Sequence, residues 1–270
     1  MKTADKSLTV AIPAYWGATL PPLQHSAFGA VVLDNQFEPL VRRGNNGLIE
    51  PLGAKSWEIS RDYRVVTFTI DTSRRFSDGS RLTASDFKRS WEDGLRMKPK
   101  SKNQSVADIL YGLKGFQSFA QDGTISGVRV LSDDRLELEF DKPVRLGVEN
   151  LSGHRYSAYK LIDGRGIGTG PYAMEEKDKT LFLTPNPYYA AKEPRFERLK
   201  IVVTAPEKLH ESLRSGAVDA AVFVEKSNLP ECLDETGGKI RCVYSQEADH
   251  VDIEVNGLSG RLFSDRRHRL

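Results

Sequence analysis

Two short runs constrain this chain most: Gly168-Thr169-Gly170-Pro171-Tyr172 and Asn186-Pro187-Tyr188-Tyr189. Glycine permits close backbone approaches and proline fixes φ, so the first run reads as a tight turn entering a strand. Its glycines would let the chain re-enter a main sheet at a tight crossing. It is not a phosphate loop, because neither the Walker spacing nor the dinucleotide-binding glycine spacing is present.

Periodicity organises the rest. Leu8-Thr9-Val10-Ala11-Ile12 alternates and reads as a first strand stopped by Pro13. Phe28 to Phe37 reads as a helix with Phe28, Val31, Val32 and Phe37 inward, ended by Pro39. Val66, Phe68 and Ile70 alternate with Thr67 and Thr69, a half-buried strand. Thr83 is placed as an N-cap with Asp86 three residues on, and the helix it opens puts Phe87, Trp91 and Leu95 on one stripe. A second helix is expected from about Val106 to Gln121, burying Ile109, Leu110, Leu113 and Phe116. Val128 and Val130 pair with Leu136, Leu138 and Phe140 around Asp133-Asp134 as a hairpin with one wet face. Later strands fall at Leu181 to Leu183, Leu199 to Val203, Val218 to Val224 and Val251 to Val255. Between them lies a helix opened by Pro206, buried at Leu209 and Leu213 and stopped at Gly216. The pattern is α/β with mixed sheets. Trp57 and Trp91 are assigned to the core, and Asp78 and Asp86 to turn and cap.

The chain has 270 residues, 39% hydrophobic and 28% charged, with a formal net charge of +2. That charge is too small for a nucleic-acid groove, and the one basic cluster, Arg266-Arg267-His268-Arg269, reads as a solvated tail rather than a basic-patch site. No apolar run reaches the ~18 residues a membrane helix needs. The first residues, Met1-Lys2-Thr3-Ala4-Asp5-Lys6, lack the apolar stretch of a signal peptide, which fits a processed secreted chain or a cytoplasmic one. Cys232 and Cys242 flank Thr236-Gly237-Gly238, so a disulfide across a hairpin and two unpaired thiols both remain open. No cofactor is expected. Histidine spacing gives no metal set, no nucleophile elbow occurs, and neither cysteine has a neighbouring histidine, so no enzymatic chemistry is read.

Further runs complete an ordered set. Glu38-Pro39-Leu40-Val41 and Ile49-Glu50-Pro51-Leu52 lead into Lys55-Ser56-Trp57-Glu58. Then come Phe76-Ser77-Asp78-Gly79-Ser80, Leu82-Thr83-Ala84-Ser85-Asp86, Ser215-Gly216-Ala217-Val218-Asp219, Asn256 and Phe263-Ser264-Asp265. In this order, from about Leu8 to the last residue, the chain resembles the peptide- and nickel-binding (family 5) solute receptors that serve ABC importers. The resemblance implies a type II periplasmic-binding-protein lobe with a mixed β-sheet, built from residues 1–46 and 162–270. An α+β subdomain of residues 47–161 would be inserted into it. It implies a non-catalytic, periplasmic or extracellular protein that binds a small solute or short peptide and docks on a membrane permease, with no nucleic-acid partner. Family members continue past the segment matching Phe263 to Leu270 into a second lobe, which is absent here. That leaves strand Val251 to Val255 expected as an unpaired edge, open to self-association or a second chain. An interaction, regulatory or sensor module is the alternative reading.

The resemblance also selects site residues. Tyr15-Trp16-Gly17 follows the first strand, where the family's loop faces the cleft, so two exposed aromatics would line a ligand pocket; the competing reading places Trp16 in the core. His25 falls where the N-terminal loop approaches ligand, against a surface or capping role. His154-Arg155 falls where nickel-binding relatives carry a basic residue that meets the carboxylates of a chelate, against a solvated loop.

Overall fold

In the computed structural model, the described residues are 6–24, 26–44, 46–97, 110–144, 148–191, 194–223, 240–243 and 252–256. Down the chain run β1 (Ser7–Ile12), a 3-10 turn Pro21–Leu23, α1 (Ala27–Leu33), β2 (Val41–Arg43), β3 (Ile49–Pro51), β4 (Ala54–Ile59) and β5 (Val65–Ile70). There follow α2 (Ala84–Arg96), α3 (Phe119–Asp122), β6 (Val128–Ser132), β7 (Arg135–Glu139), and 3-10 turns Glu149–Ser152 and His154–Tyr156. The chain ends with β8 (Lys160–Ile162), β9 (Arg165–Ile167), β10 (Tyr172–Lys177), β11 (Thr180–Pro185), β12 (Arg198–Val203), α4 (Leu209–Ser215), β13 (Ala220–Phe223), β14 (Ile240–Val243) and β15 (Asp252–Asn256). Residues 1–16, 174–185 and 194–270 make one compact unit, and residues 17–173 with 186–193 the other.

The first unit is built on a seven-stranded sheet, ordered β10-β11-β12-β1-β13-β15-β14. β1 pairs parallel with both β12 and β13, whereas β11 on β12 and β15 on β13 and β14 run antiparallel, so the sheet is mixed. Helix α4 lays Leu209 and Leu213 on Ala11 and Ala221 of one sheet face and ends at Gly216. Strand β15 is not an edge, because it is paired on both sides. The expectation of an open edge at Val251 to Val255 is therefore corrected: the ladder position it was assigned is filled by β14.

The second unit is organised by the four-stranded antiparallel sheet β4-β5-β7-β6. Val66, Phe68 and Ile70 on β5 and Leu136 and Leu138 on β7 point into one core with Phe87 and Trp91 of α2. The cap of α2 forms as expected: the Asp86 carboxylate accepts from the Thr83 backbone N–H at 2.9 Å and from its hydroxyl at 2.8 Å. Trp91 spends its indole N–H on the Tyr156 carbonyl at 2.8 Å, and Trp57 packs at the core margin.

Two helix expectations are corrected. Residues 111–118 form successive turns rather than a helix, with Leu113 bridged to Phe140 against β7; Leu110 is helical, and residues 98–109 lie outside the described part. Helix α1 stops at Leu33 rather than Phe37, and Val31 faces solvent. The physical reason is competition for the backbone. Asn35 and Gln36 use their carbonyls to accept from Tyr172 N–H at 3.0 Å and Gly170 N–H at 2.8 Å, so the chain leaves the helix to make that joint.

Candidate functional site

Four of the sequence runs meet in the second unit. Gly168 passes Gln36 so closely that a Cβ there would sit 2.0 Å from the Gln36 carbonyl oxygen. Ser77 N–H donates to the Gly168 carbonyl at 3.0 Å. Asn186 seals the far side, its amide donating to Gly170 O at 3.0 Å and its backbone N–H to Pro171 O at 2.8 Å. At the centre the buried Glu38 carboxylate accepts from Arg74 Nη1 at 2.6 Å and from the Thr169 hydroxyl at 3.0 Å. Tyr189 hydrogen-bonds to both Glu38 and Arg74, and Arg74 Nε faces Asp71 Oδ2 at 3.5 Å. Burial pushes the Glu38 carboxyl above its ordinary value, against the opposing pull of Arg74, Thr169 and Tyr189. Burial also raises the Tyr189 phenol, with the Glu38 charge adding to it. A buried ion pair tied also to Thr169 and Tyr189 is a joint, not a reaction centre, although Arg74 Nε makes no hydrogen bond among the described residues.

Beside this joint lies the turn His154–Tyr156. Arg155 Nε donates to the Gln24 carbonyl at 3.2 Å, and His154 Nδ1 stands 3.9 Å from Asp34 Oδ1. Gln24 is itself buried and holds the loop by accepting from Ser26 N–H at 2.7 Å through Oε1. His154 is 15% exposed and Asp34 62%. Fixing the Arg155 Nε on a carbonyl sets the plane of its guanidinium for a carboxylate partner. Asp34 offers the opposite charge nearby.

His154 and Arg155 are thus brought to Gln24, the residue before His25; His25 lies outside the described residues. Tyr15 and Trp16 belong to the other unit. Of the two aromatics expected to be exposed, Tyr15 is 51% exposed and Trp16 1%. Their rings are tilted by 34° with centroids 4.6 Å apart, and the Tyr15 hydroxyl donates to Glu176 Oε1 at 2.9 Å. Gly17 follows with φ +84°, which explains a glycine immediately after the pair. Cys232 lies outside the described residues, and of Cys242 only its place in β14 is defined. Among the described residues, no group of three His, Cys, Asp or Glu side chains can hold a metal ion, and no helix is long and apolar enough to cross a membrane.

The family model for bacterial extracellular solute-binding proteins, family 5 Middle, matches residues 49–270. The chain belongs to that family. It is similar to the dipeptide-binding protein DppE of Bacillus subtilis, 25% identical over 233 residues, covering 80% of this chain and 42% of DppE. It is also similar to the periplasmic murein peptide-binding protein MppA of Escherichia coli, 28% identical over 174 residues, covering 58% of this chain and 32% of MppA. Among solved structures, Escherichia coli MppA superposes with a TM-score of 0.74 at 21% identity, covering 89% of this chain and 50% of MppA. NikA from Brucella suis in complex with Fe(III)-EDTA superposes with a TM-score of 0.73 at 20% identity, covering 89% of this chain and 48% of NikA. This family 5 chain therefore spans half or less of the length of these relatives, and its lobe has the periplasmic-binding-protein fold.

Sequence reading missed Gln24 and Asp34 as companions of His154-Arg155, and Arg74 as the partner of Glu38. Glu38 stood in a quoted run. Arg74 carried no local signal, because its role is set by a contact far away in the chain.

Proposed function

We propose that this chain is the solute-binding part of an ABC import system, taking a short peptide or similar small charged solute without chemistry. The observation that carries this reading is the Arg155–Gln24 and His154–Asp34 arrangement within one unit. It presents a fixed guanidinium and an exposed carboxylate to a solute that carries both charges. The family membership supports the same reading, since family 5 relatives are named as peptide-binding proteins. On this reading the protein works outside the cytoplasmic membrane with a permease as its partner, and residues 47–161 are a subdomain inserted into the lobe. Tyr15 and His25 are each proposed as a ligand contact, to be tested by its own substitution, while Trp16, 1% exposed, is read as core. Self-association through an open strand at Val251 to Val255 has lost its ground, since β15 is flanked on both sides.

Calorimetric titration with dipeptides and tripeptides tests the reading. Binding by the wild type that weakens about tenfold in Arg155→Gln, the loss of one charge-assisted hydrogen bond, is the expected result. Equal affinity in the two proteins, or no heat from any peptide, counts against it.

A further inference from the structure

The turn Phe76-Ser77-Asp78-Gly79-Ser80 returns the chain so that Arg75 and Arg81 face one another across an antiparallel bridge. The flanking bonds, Phe76 N–H to Ser80 O at 2.9 Å and Leu82 N–H to Arg74 O at 3.0 Å, make this the narrow kind of pair. In that geometry the two side chains leave the same face at their closest spacing. Two like charges directly opposite repel. Neither guanidinium is in an ion pair among the described residues. Arg75 has one bond, from Nη1 to the Gly79 carbonyl at 2.8 Å, and that bond fixes its position.

The neighbouring carboxylates are already committed. Asp71 takes the Ser73 hydroxyl at 2.6 Å and faces Arg74 Nε and Lys55 Nζ; burial works to raise its carboxyl, and these partners hold it below the ordinary value. Asp78 is bound by Ser80 N–H at 2.8 Å. Partial burial works to raise it as well, and the Ser80 bonds and the Lys160 charge outweigh that. A cleft of about 120 Å³ opens beside Arg75, with Ser73, Thr169, Tyr188 and Tyr189 in its wall. The Tyr188 ring lies against Gly79, where a Cβ would come within 2.9 Å of it, so the turn and the cleft wall are one packed piece. With Asp71 set against Arg74 and Lys55 and Asp78 influenced by Lys160, neither Arg75 nor Arg81 has an ion-pair partner among the described residues, and Arg75 lines a concave space that Asp71 and Arg74 also wall.

We propose that Arg75, in the wall of this cleft, and Arg81, opposite it across the bridge, together receive a small oxyanion, a phosphate or carboxylate group. A planar guanidinium accepts such a group through two parallel N–H bonds, and an anion between the pair converts their repulsion into attraction to a shared partner. The site uses none of the residues assigned to solute binding, so it stands or falls apart from that reading.

The test uses the full chain at low ionic strength, titrated separately with inorganic phosphate and with succinate, reading heat and melting temperature. Binding of either anion that weakens about tenfold in Arg75→Gln and again in the double variant with Arg81→Gln is expected. Which anion binds identifies the source chemistry. The melting temperatures of the variants without anion show that they fold. An anion response equal in wild type and double variant, a response reproduced by sodium chloride at the same ionic strength, or no response to either anion overturns the proposal.

Discussion

Arg74 Nη1 stands 2.6 Å from Glu38 Oε2, and through that one contact segments around residues 38, 74, 169 and 189 are held to a common point. Arg74 also faces a second carboxylate, Asp71, at the longer distance of 3.5 Å.

Replacing Glu38 by Ala leaves Arg74 with Tyr189 and the longer Asp71 contact, and with no close carboxylate. The expected loss is about 3 kcal/mol of unfolding free energy by urea titration. Glu38→Gln tests the electrostatics separately. The folded carboxyl is raised above the ordinary 4.5, so the native state holds this proton more tightly than the unfolded state does. Between 4.5 and the raised value, the contribution of this group to stability therefore falls as pH rises. The stability difference between wild type and Glu38→Gln should move in favour of the wild type as the pH is lowered from neutral toward 4.5. A difference that stays flat across that range contradicts the assignment.

Gly168→Ala should be severe, because the new methyl carbon would lie 2.0 Å from a backbone oxygen that cannot move aside. A loss near the upper end of single-substitution effects, about 4–5 kcal/mol, is expected. Gly123→Ala is the control. Gly123 has φ +68° but nothing within 4 Å of the added carbon, so only backbone strain of about 1 kcal/mol is incurred. Thermal melts giving the two variants similar losses would remove the close crossing as the cause.

Trp91→Phe keeps most of the apolar volume but strips the Tyr156 carbonyl of its donor, at a cost of about 1–3 kcal/mol. Trp91→Ala adds a cavity and should lose about 3–5 kcal/mol. Equilibrium unfolding of both variants checks the ordering. An undiminished stability in Trp91→Phe would mean that the indole bond contributes nothing.

Tyr15 titrates above 10.0, through partial burial first and then through its bond to Glu176. In Glu176→Gln the carboxylate is gone, and the Tyr15 titration seen by ultraviolet absorbance should shift down toward 10.0. An unchanged midpoint would place the whole effect in burial.

Strands and the capped helix were legible because each rests on neighbours in sequence. Val66, Phe68 and Ile70 declare their face by alternation, and Thr83 and Asp86 sit three residues apart. What was not legible depends on distant partners. Helix α1 stops early because Gln36 and Asn35 are claimed by Gly170 and Tyr172, a contact invisible from residues 28–37 alone. The apolar residues Leu110, Leu113 and Phe116 suggested one helical stripe, yet Leu113 is buried from a run of turns, because Lys114 N–H bonds to Glu139 O on β7 and holds the segment there. Of the candidate site, His154-Arg155 was legible from the resemblance. Gln24 and Asp34 were not, since neither belongs to a run that spacing singles out.

The position of β1 in its sheet also sets a timetable for the chain. Ser7 finds its register opposite Arg198, and Val10 opposite Ala220, so the first strand made is among the last to be paired. Until those residues exist, an apolar segment at the N-terminus has no ladder to join, and closing so long a loop is slow. The core of the second unit, drawn from residues 40–158, is made well before then and can collapse first. A chain whose synthesis is interrupted before Arg198 would therefore present a folded body trailing an unpaired strand. Such a strand edge is prone to pair with other chains.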